Sequence, residues 1–246
     1  MMSTLFAEFC KLVSVRSTYV ITGLGLLLTG FISFWGTGYK GPDVFSVDAL
    51  QNAIYNNITI VAIFIGIVAI LLICHEYRYN TISYTLTASN SRLKVLLAKF
   101  MVVGAYAVTV TLFSILWIIG LVTLGAHIAG HAFPTQALDM YSMLWKTLAY
   151  MVGGAWFGLI LGFLSRSVVF AIVAYFVFPA IEPLLHMLLK ISNNYMPNSA
   201  QGQILQTVSS PDVYTPLASA GVFGAYLLGL FIVATVLFLR KDASAG

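Results

Sequence analysis

Glu76 lies in the densest group of chemically capable side chains in this chain. The run reads Cys74-His75-Glu76-Tyr77-Arg78-Tyr79-Asn80-Thr81-Ile82-Ser83-Tyr84-Thr85-Leu86, then Asn90-Ser91-Arg92-Leu93-Lys94 and Lys99. Ile58 to Cys74 precedes it and Phe100 to Ala126 follows it, both without a charge. Metal ligation and catalysis are the chemistries to weigh first for such residues. Zinc of the His-Glu-x-x-His type is excluded, because His75-Glu76 lacks the second histidine. His127 and His131, like Glu182 and His186, are spaced i, i+4 and would share a helical face. Neither pair has an apparent third ligand, so both read as polar residues near headgroups. No Walker A sequence and no Gly-x-Ser-x-Gly elbow occur. No nucleophile, metal set or carboxylate pair stands at membrane depth. The chain is therefore expected to have no enzymatic activity of its own, and on residues alone the Glu76–Lys99 island reads either as a positive-inside loop that anchors topology or as a cytoplasmic loop with a task of its own.

The elements around the island are membrane spans. The chain of 246 residues is 60% hydrophobic and 8% charged, against roughly 25% charged in an average soluble domain. Too few polar residues exist to cover a water-facing surface, and spanning segments must satisfy their own backbone, so they are helices. At about 20 apolar residues per span, six segments emerge: Thr18 to Trp35, Ile58 to Cys74, Phe100 to Ala126, Ser142 to Leu164, Val168 to about Ile181, and Pro216 to Leu239. The third is long enough to tilt or to leave the bilayer. Pro179, Glu182 and Pro183 predict a break in the fifth, followed by a short re-entrant or surface helix over Leu184 to Leu189. The expected architecture is all-α, one membrane domain over residues 1–246. It has six spans, an N-terminal interfacial helix, a short helix between spans 2 and 3, and another between spans 5 and 6.

Orientation follows from Lys and Arg. With the N-terminus inside, Lys11, Arg16, Arg78, Arg92, Lys94, Lys99, Arg166, Arg240 and Lys241 face the cytoplasm. Lys40, Lys146 and Lys190 lie outside, so nine of the 12 cations obey the positive-inside rule. Both termini are then cytoplasmic. The net charge of +4 and pI near 9.0 are explained by topology and do not call for nucleic acid. Cys10 and Cys74 fall on the cytoplasmic side, where a structural disulfide is unexpected. Glu8, Lys11 and Arg16 interrupt the N-terminus, which argues against a cleavable signal peptide. Leu5, Phe9 and Leu12 recur at helical spacing, with Glu8 and Lys11 on the other side, as in an amphipathic helix lying in the interface. Trp35, Tyr39, Tyr55, Tyr141 and Trp145 suit aromatic belts. Trp117 lies deeper, and Gly153-Gly154 and Gly158 to Gly162 permit close helix approach.

Within the island, Tyr77, Thr81 and Tyr84 stand at i, i+4, i+7, and one helix would present them together. Glu76 and Arg78 either pair with each other or hold the elbow to neighbouring helices. Glu76-x-Arg78-x-x-Thr81-Ile82-x-x-x-Leu86, then Ser91-Arg92 and Ala98-Lys99, resembles the cytoplasmic signature of ABC-2 type transporter permeases. Glu8-x-x-Lys11-Leu12-x-x-x-Arg16 resembles their N-terminal interfacial helix, and Leu239-Arg240-Lys241-Asp242 their basic-acidic exit. Asn80 stands where glycine is common and Asn90 where proline is common.

The resemblance implies a permease of an ATP-driven exporter in a cell membrane, inner or plasma. Two ATPase subunits would carry ATP and Mg, and the chain itself would bind no cofactor. A second permease copy or a paralogue completes the complex. Glu76, Tyr77, Arg78, Thr81, Tyr84 and Arg92 would dock on the ATPases, with the interfacial helix (Glu8, Lys11, Arg16) moving beside them. Pro179, Glu182, Pro183 and His186 would cap the outer end. Val20 to Phe34 and Ile58 to Ile70 would form the translocation face. An apolar interface suits amphipathic or hydrophobic cargo such as a peptide antibiotic, lipid or drug. The competing readings are a secondary carrier or channel, and a membrane-embedded enzyme or sensor.

Overall fold

Every long apolar run becomes a helix in the computed structural model, which describes residues 2–41, 47–89, 91–131, 138–190, 192–206 and 213–240. Asn90, Lys241 and Asp242 lie outside them. The chain order is α1 (Met2–Ser14), α2 (Arg16–Phe31) running into a π-helical segment (Ile32–Tyr39), α3 (Val47–Arg78), α4 (Ile82–Ser89), α5 (Arg92–Ala129), α6 (Met140–Ser165) and α7 (Val168–Leu189). A single 3-10 turn (Asn193–Tyr195), α8 (Pro197–Gln203) and α9 (Pro216–Arg240) follow. Among the described residues there is no strand. Six helices are long and apolar enough to cross a membrane.

The spans are longer than their apolar cores. α5 has 38 residues, about 57 Å at the standard rise, against a hydrocarbon core of about 30 Å. It begins at Arg92 rather than Phe100. α3 has 32 residues and runs on past Cys74 to Arg78. Helix ends outside lipid carry polar residues freely, so hydropathy alone truncates them. α3 and α6 share the most extensive interface and form the centre. Within their apolar windows 56% and 61% of residues are buried, against 11% in α7 and 22% in α2 and α9. Ile58, Val61, Ile65, Val68, Ala69 and Ile70 are consequently core residues. The expectation that Ile58 to Ile70 forms a translocation face is corrected to that extent: most of that stretch points into the subunit.

The π-helical segment is wedged against α5. Gly38 and Gly125 meet backbone to backbone, so a Cβ at Gly38 would stand 2.6 Å from the Val122 carbonyl oxygen. Trp35 stacks on Tyr39, and the Lys40 ammonium lies 5.4 Å from the Trp35 ring. Trp117 donates from Nε1 to the Leu26 carbonyl at 3.0 Å, tying α5 to α2.

The fifth span does not break. α7 continues through Pro179 and Pro183 to Leu189, so the separate helix expected over Leu184 to Leu189 is the end of α7 itself. Proline removes backbone donors, but it is tolerated in spanning helices where neighbours compensate, and α7 sits on the periphery. The short helix between spans 5 and 6 is instead α8, which opens with proline at a first-turn position. Glu182, 4% exposed, holds it. The carboxylate accepts from the backbone N–H of Asn198 and of Ser199 (2.9 Å) and from Ser199 Oγ (3.1 Å). An anion at a helix N-terminus also meets the favourable end of the dipole. Gln203 extends the anchor, accepting from Ser219 Oγ at 3.0 Å and donating to Asn194 Oδ1 at 2.9 Å. Lys146 donates to the Gln206 carbonyl at 2.9 Å.

Glu182→Ala removes all three bonds and is expected to free α8 while leaving the spans in place. Amide exchange over residues 197–203 should accelerate by at least about tenfold, since a hydrogen bond to a charged group contributes roughly 1.5–3 kcal/mol. Unchanged exchange there would refute the latch.

Candidate functional site

Four charged side chains from three helices meet at the end of the bundle where α1 and the end of α9 lie. Glu8 comes from α1, Glu76 from the last turn of α3 and Lys99 from the second turn of α5; Lys11, one turn beyond Glu8, closes the group. Lys99 Nζ donates to Glu8 Oε2 at 2.5 Å and to Glu76 Oε1 at 2.7 Å. Lys11 Nζ donates to Glu8 Oε1 at 2.8 Å, Glu76 Oε1 at 2.8 Å and Thr85 Oγ1 of α4 at 2.9 Å. The Lys99 and Glu8 side chains are 0% exposed, and Lys11 is 36% exposed. Two acids and two lysines give the cluster no net charge, as burial demands. A lysine has three N–H donors, and Lys11 uses all three.

Burial alone would lower the Lys11 pKa. The hydrogen bonds and charges of Glu76 and Glu8 outweigh it, and the pKa is raised from the ordinary 10.5. A raised folded-state pKa means the lysine's contribution is complete below the ordinary value and fades only as pH climbs through the raised one.

Glu8 therefore faces the protein. The interfacial helix turns Glu8 and Leu12 inward and leaves Phe6 and Phe9 exposed, against the expectation that Glu8 lies on the solvated side. The physical reason is the two ammonium groups waiting at Lys11 and Lys99. Glu76 holds the elbow to α1 and α5 and does not pair with Arg78, whose guanidinium lies 5.7 Å from the Tyr79 ring.

The expected Tyr77–Thr81–Tyr84 face does not form on one helix. Tyr77 belongs to α3 and Tyr84 to α4, and the turn between them passes through Asn80 at φ 54°. That left-handed conformation suits glycine or asparagine at a helix C-terminus, which accounts for Asn80 where glycine is common. The amides of Asn80 and Thr81 return to the Tyr77 and Glu76 carbonyls at 3.3 and 3.0 Å. Tyr77 turns inward, its hydroxyl buried and its ring 5.2 Å from the Arg166 guanidinium at the α6–α7 corner. Thr81 is exposed and Tyr84 is 76% exposed. Arg92 donates to the Phe238 and Leu239 carbonyls at 3.4 and 3.2 Å, capping the end of α9. Arg16 opens α2 and is exposed. Glu182, Pro179, Pro183 and His186 lie together on α7, with Glu182 engaged on α8 as described. Lys99 is the residue that sequence reasoning left out of the site. Its signal was present: a cation one position before an uncharged run, preceded by Leu96-Leu97-Ala98, needs a partner.

Two partly open cavities flank these features. One, about 270 Å³, lies between the start of α2 and the end of α3, with Lys11, His75, Glu76 and Tyr79 in its wall. The other, about 240 Å³, lies near α8 and is lined by Tyr150, Phe157, Tyr175, Phe178, Asn198 and Gln201 among others, with no charged residue.

Fold and site define a multi-pass helical membrane protein whose interfacial helix and span ends are locked by buried ion pairs. The family described as ABC-2 family transporter protein matches residues 4–182, from α1 through Glu182, and the chain belongs to that family. It is the membrane-spanning permease of an ABC transporter, and membership implies partnership with ABC ATPase subunits. No curated protein matches the chain by sequence.

Proposed function

We propose that this permease exports an amphipathic or hydrophobic substrate across a cell membrane, driven by ATP hydrolysis on two separate ATPase subunits. ATP and Mg belong to those partners, and the chain itself catalyses nothing. Both termini, α1 and α4 face the cytoplasm, in keeping with the cations at that end. The ATPases engage the exposed α4 surface around Thr81 and Tyr84. Their closure moves α4 and α1, and the Glu8–Lys11–Glu76–Lys99 cluster carries that motion into α3 and α5.

The observation that carries this reading is the cluster itself. Ion pairs with short, buried hydrogen bonds transmit displacement, because separating them exposes an uncompensated charge. Thr85 on Lys11 adds α4 to the same body. The uncharged, aromatic lining of the cavity near α8 supports an apolar or amphipathic cargo. The little-buried faces of α2 and α7 leave room for a second permease, a copy or a paralogue.

The test is co-expression with the neighbouring ATPase gene, pull-down through a tag on this chain, and assays of ATP hydrolysis and substrate release from vesicles. Tyr84→Glu is expected to reduce permease-stimulated hydrolysis at least about tenfold, since an unpaired charge at an interface costs several kcal/mol. The melting temperature of the permease alone should stay unchanged, because Tyr84 is exposed. Full stimulation in that variant would remove α4 from the docking surface. Transport that follows an ion gradient without ATP would favour a secondary carrier or channel.

A further inference from the structure

Five helices (α3, α6, α7, α8 and α9) converge on the cavity of about 240 Å³ near α8. Six of its lining residues are aromatic and none is charged, as suits a space at the depth of the spans, where a charge is costly. Phe157 packs between Tyr175 and Phe178, with ring centroids 5.9 and 5.6 Å away, and such walls favour a further ring. The volume is below the roughly 300–1,000 Å³ of pockets for drug-sized ligands, which limits an occupant to one or two rings.

Two polar groups in the wall lack a partner. The Tyr175 ring enters the bundle from α7, and its hydroxyl lies against Gly66 of α3, where any Cβ would collide with it. A Cβ at Gly154 of α6 would stand 3.8 Å from the same hydroxyl. Among the described residues this hydroxyl makes no hydrogen bond, yet it keeps accessible surface, unlike the sealed Tyr77 hydroxyl. It points at the bundle interior and not at lipid, so its open side is the cavity that Tyr175 lines. Gln201 of α8 reaches the same place. Its Nε2 donates to the Tyr150 carbonyl at 3.3 Å, and a Cβ at Gly154 would stand 3.0 Å from that nitrogen. The bond fixes which amide atom is nitrogen. It leaves Oε1 as an acceptor without a donor among the described residues. A donor on Tyr175 and an acceptor on Gln201 thus flank Gly154, and a single hydroxyl group can answer both.

We propose that this cavity binds a small uncharged aromatic molecule carrying a hydroxyl group. The ring lies among Phe157, Phe178 and Phe223. The ligand hydroxyl accepts from Tyr175 and donates to Gln201 Oε1. Because Gln201, Asn198 and Pro197 all belong to the wall, the ligand also holds α8, on the side opposite the Glu182 latch. Binding is a property of the permease alone, and only the occupant's being cargo rests on the export reading.

Amide exchange over residues 197–203 of the full-length chain in detergent tests it, with 2-naphthol, naphthalene or 2-naphthoate added at neutral pH. 2-Naphthol should slow exchange there, and 2-naphthoate, being charged, should not. In Tyr175→Phe the concentration of 2-naphthol giving half of that protection should rise about fivefold, the factor one net hydrogen bond supplies. The value for naphthalene, which has no hydroxyl, should stay the same. The melting temperature of the variant should not fall, because the lost hydroxyl had no partner. An unchanged 2-naphthol value in Tyr175→Phe would overturn the hydroxyl assignment. An equal rise for naphthalene would mean that the variant only reshapes the wall, and would overturn it too. Protection by 2-naphthoate at the same concentration would overturn the requirement for an uncharged ligand. No protection by 2-naphthol would leave water as the occupant and overturn the site. ATP and the ATPases play no part in these readouts, so a failure here is distinguishable from a failure of the export reading.

Discussion

Lys99→Met is expected to destabilise the protein by about 3–5 kcal/mol, the range for removing one partner of a buried ion pair. The substitution strands Glu8 Oε2, whose only donor among the described residues is Lys99, and among those residues it leaves Glu76 Oε1 to Lys11 alone. Lys11 cannot compensate, because its three donors are already committed. In detergent, the midpoint of thermal unfolding followed by size-exclusion chromatography should fall sharply, or the protein should fail to accumulate in the membrane. A combined variant separates charge imbalance from lost packing. Glu8→Gln, Lys11→Met, Glu76→Gln and Lys99→Met together leave no unpaired charge and should recover much of the stability. Such a variant should nonetheless lose coupling, if stiff ion pairs transmit the motion of α1 and α4. A Lys99→Met protein that melts with the wild type would show that the cluster does not hold the helices together.

Gly158→Ala is expected to be the most damaging single methyl addition in the bundle centre. A Cβ there would stand 2.6 Å from the Gly66 carbonyl oxygen and 3.2 Å from the Gly66 carbonyl carbon and Cα. These are backbone atoms and cannot rotate away. α3 and α6 would have to separate along the interface that forms the core. Overpacking of this kind typically costs 1–3 kcal/mol and occasionally more. The control is Gly120→Ala in α5, where an added Cβ meets nothing within 4 Å. That change should be neutral or stabilising by up to about 1 kcal/mol, because alanine favours the helix. Equal melting temperatures for the two variants would refute close backbone packing as the basis of the α3–α6 contact.

These two predictions rest on features of different legibility. Gly158 stands in a glycine pattern that announces close helix approach, although its partner at Gly66 is announced by nothing local. Glu8 and Lys11 are legible as an i, i+3 pair on α1, but their burial is not. Amphipathic periodicity assigns the polar side of a surface helix to water, and here that side meets two span ends that carry the complementary charges. Tyr77, Thr81 and Tyr84 have the spacing of one helical face. The left-handed Asn80 interrupts the helix between them, so Tyr77 belongs to the core and Tyr84 to the surface. Pro179 and Pro183 have the chemistry of helix breakers, yet α7 continues through both, and Glu182 between them finds its partners on α8.

The amino-acid sequence by itself determined the solvent, the secondary structure class, the six spans and the concentration of cations at one end. Each is a local property: a run of apolar residues meets lipid wherever it packs, and its backbone must close its hydrogen bonds within the run. The motif from Glu76 to Lys99 also pointed to the family by its local order. The tertiary structure alone decided which charges meet. Lys99 and Glu8 are 91 residues apart, Lys11 and Glu76 are 65 apart, and Glu76 and Lys99 are 23 apart. A charge in a mostly apolar protein must find a partner, but composition does not say which one. That choice was made by the packing of α1 across the ends of α3 and α5, which brought two acids and two lysines into one mostly buried cluster.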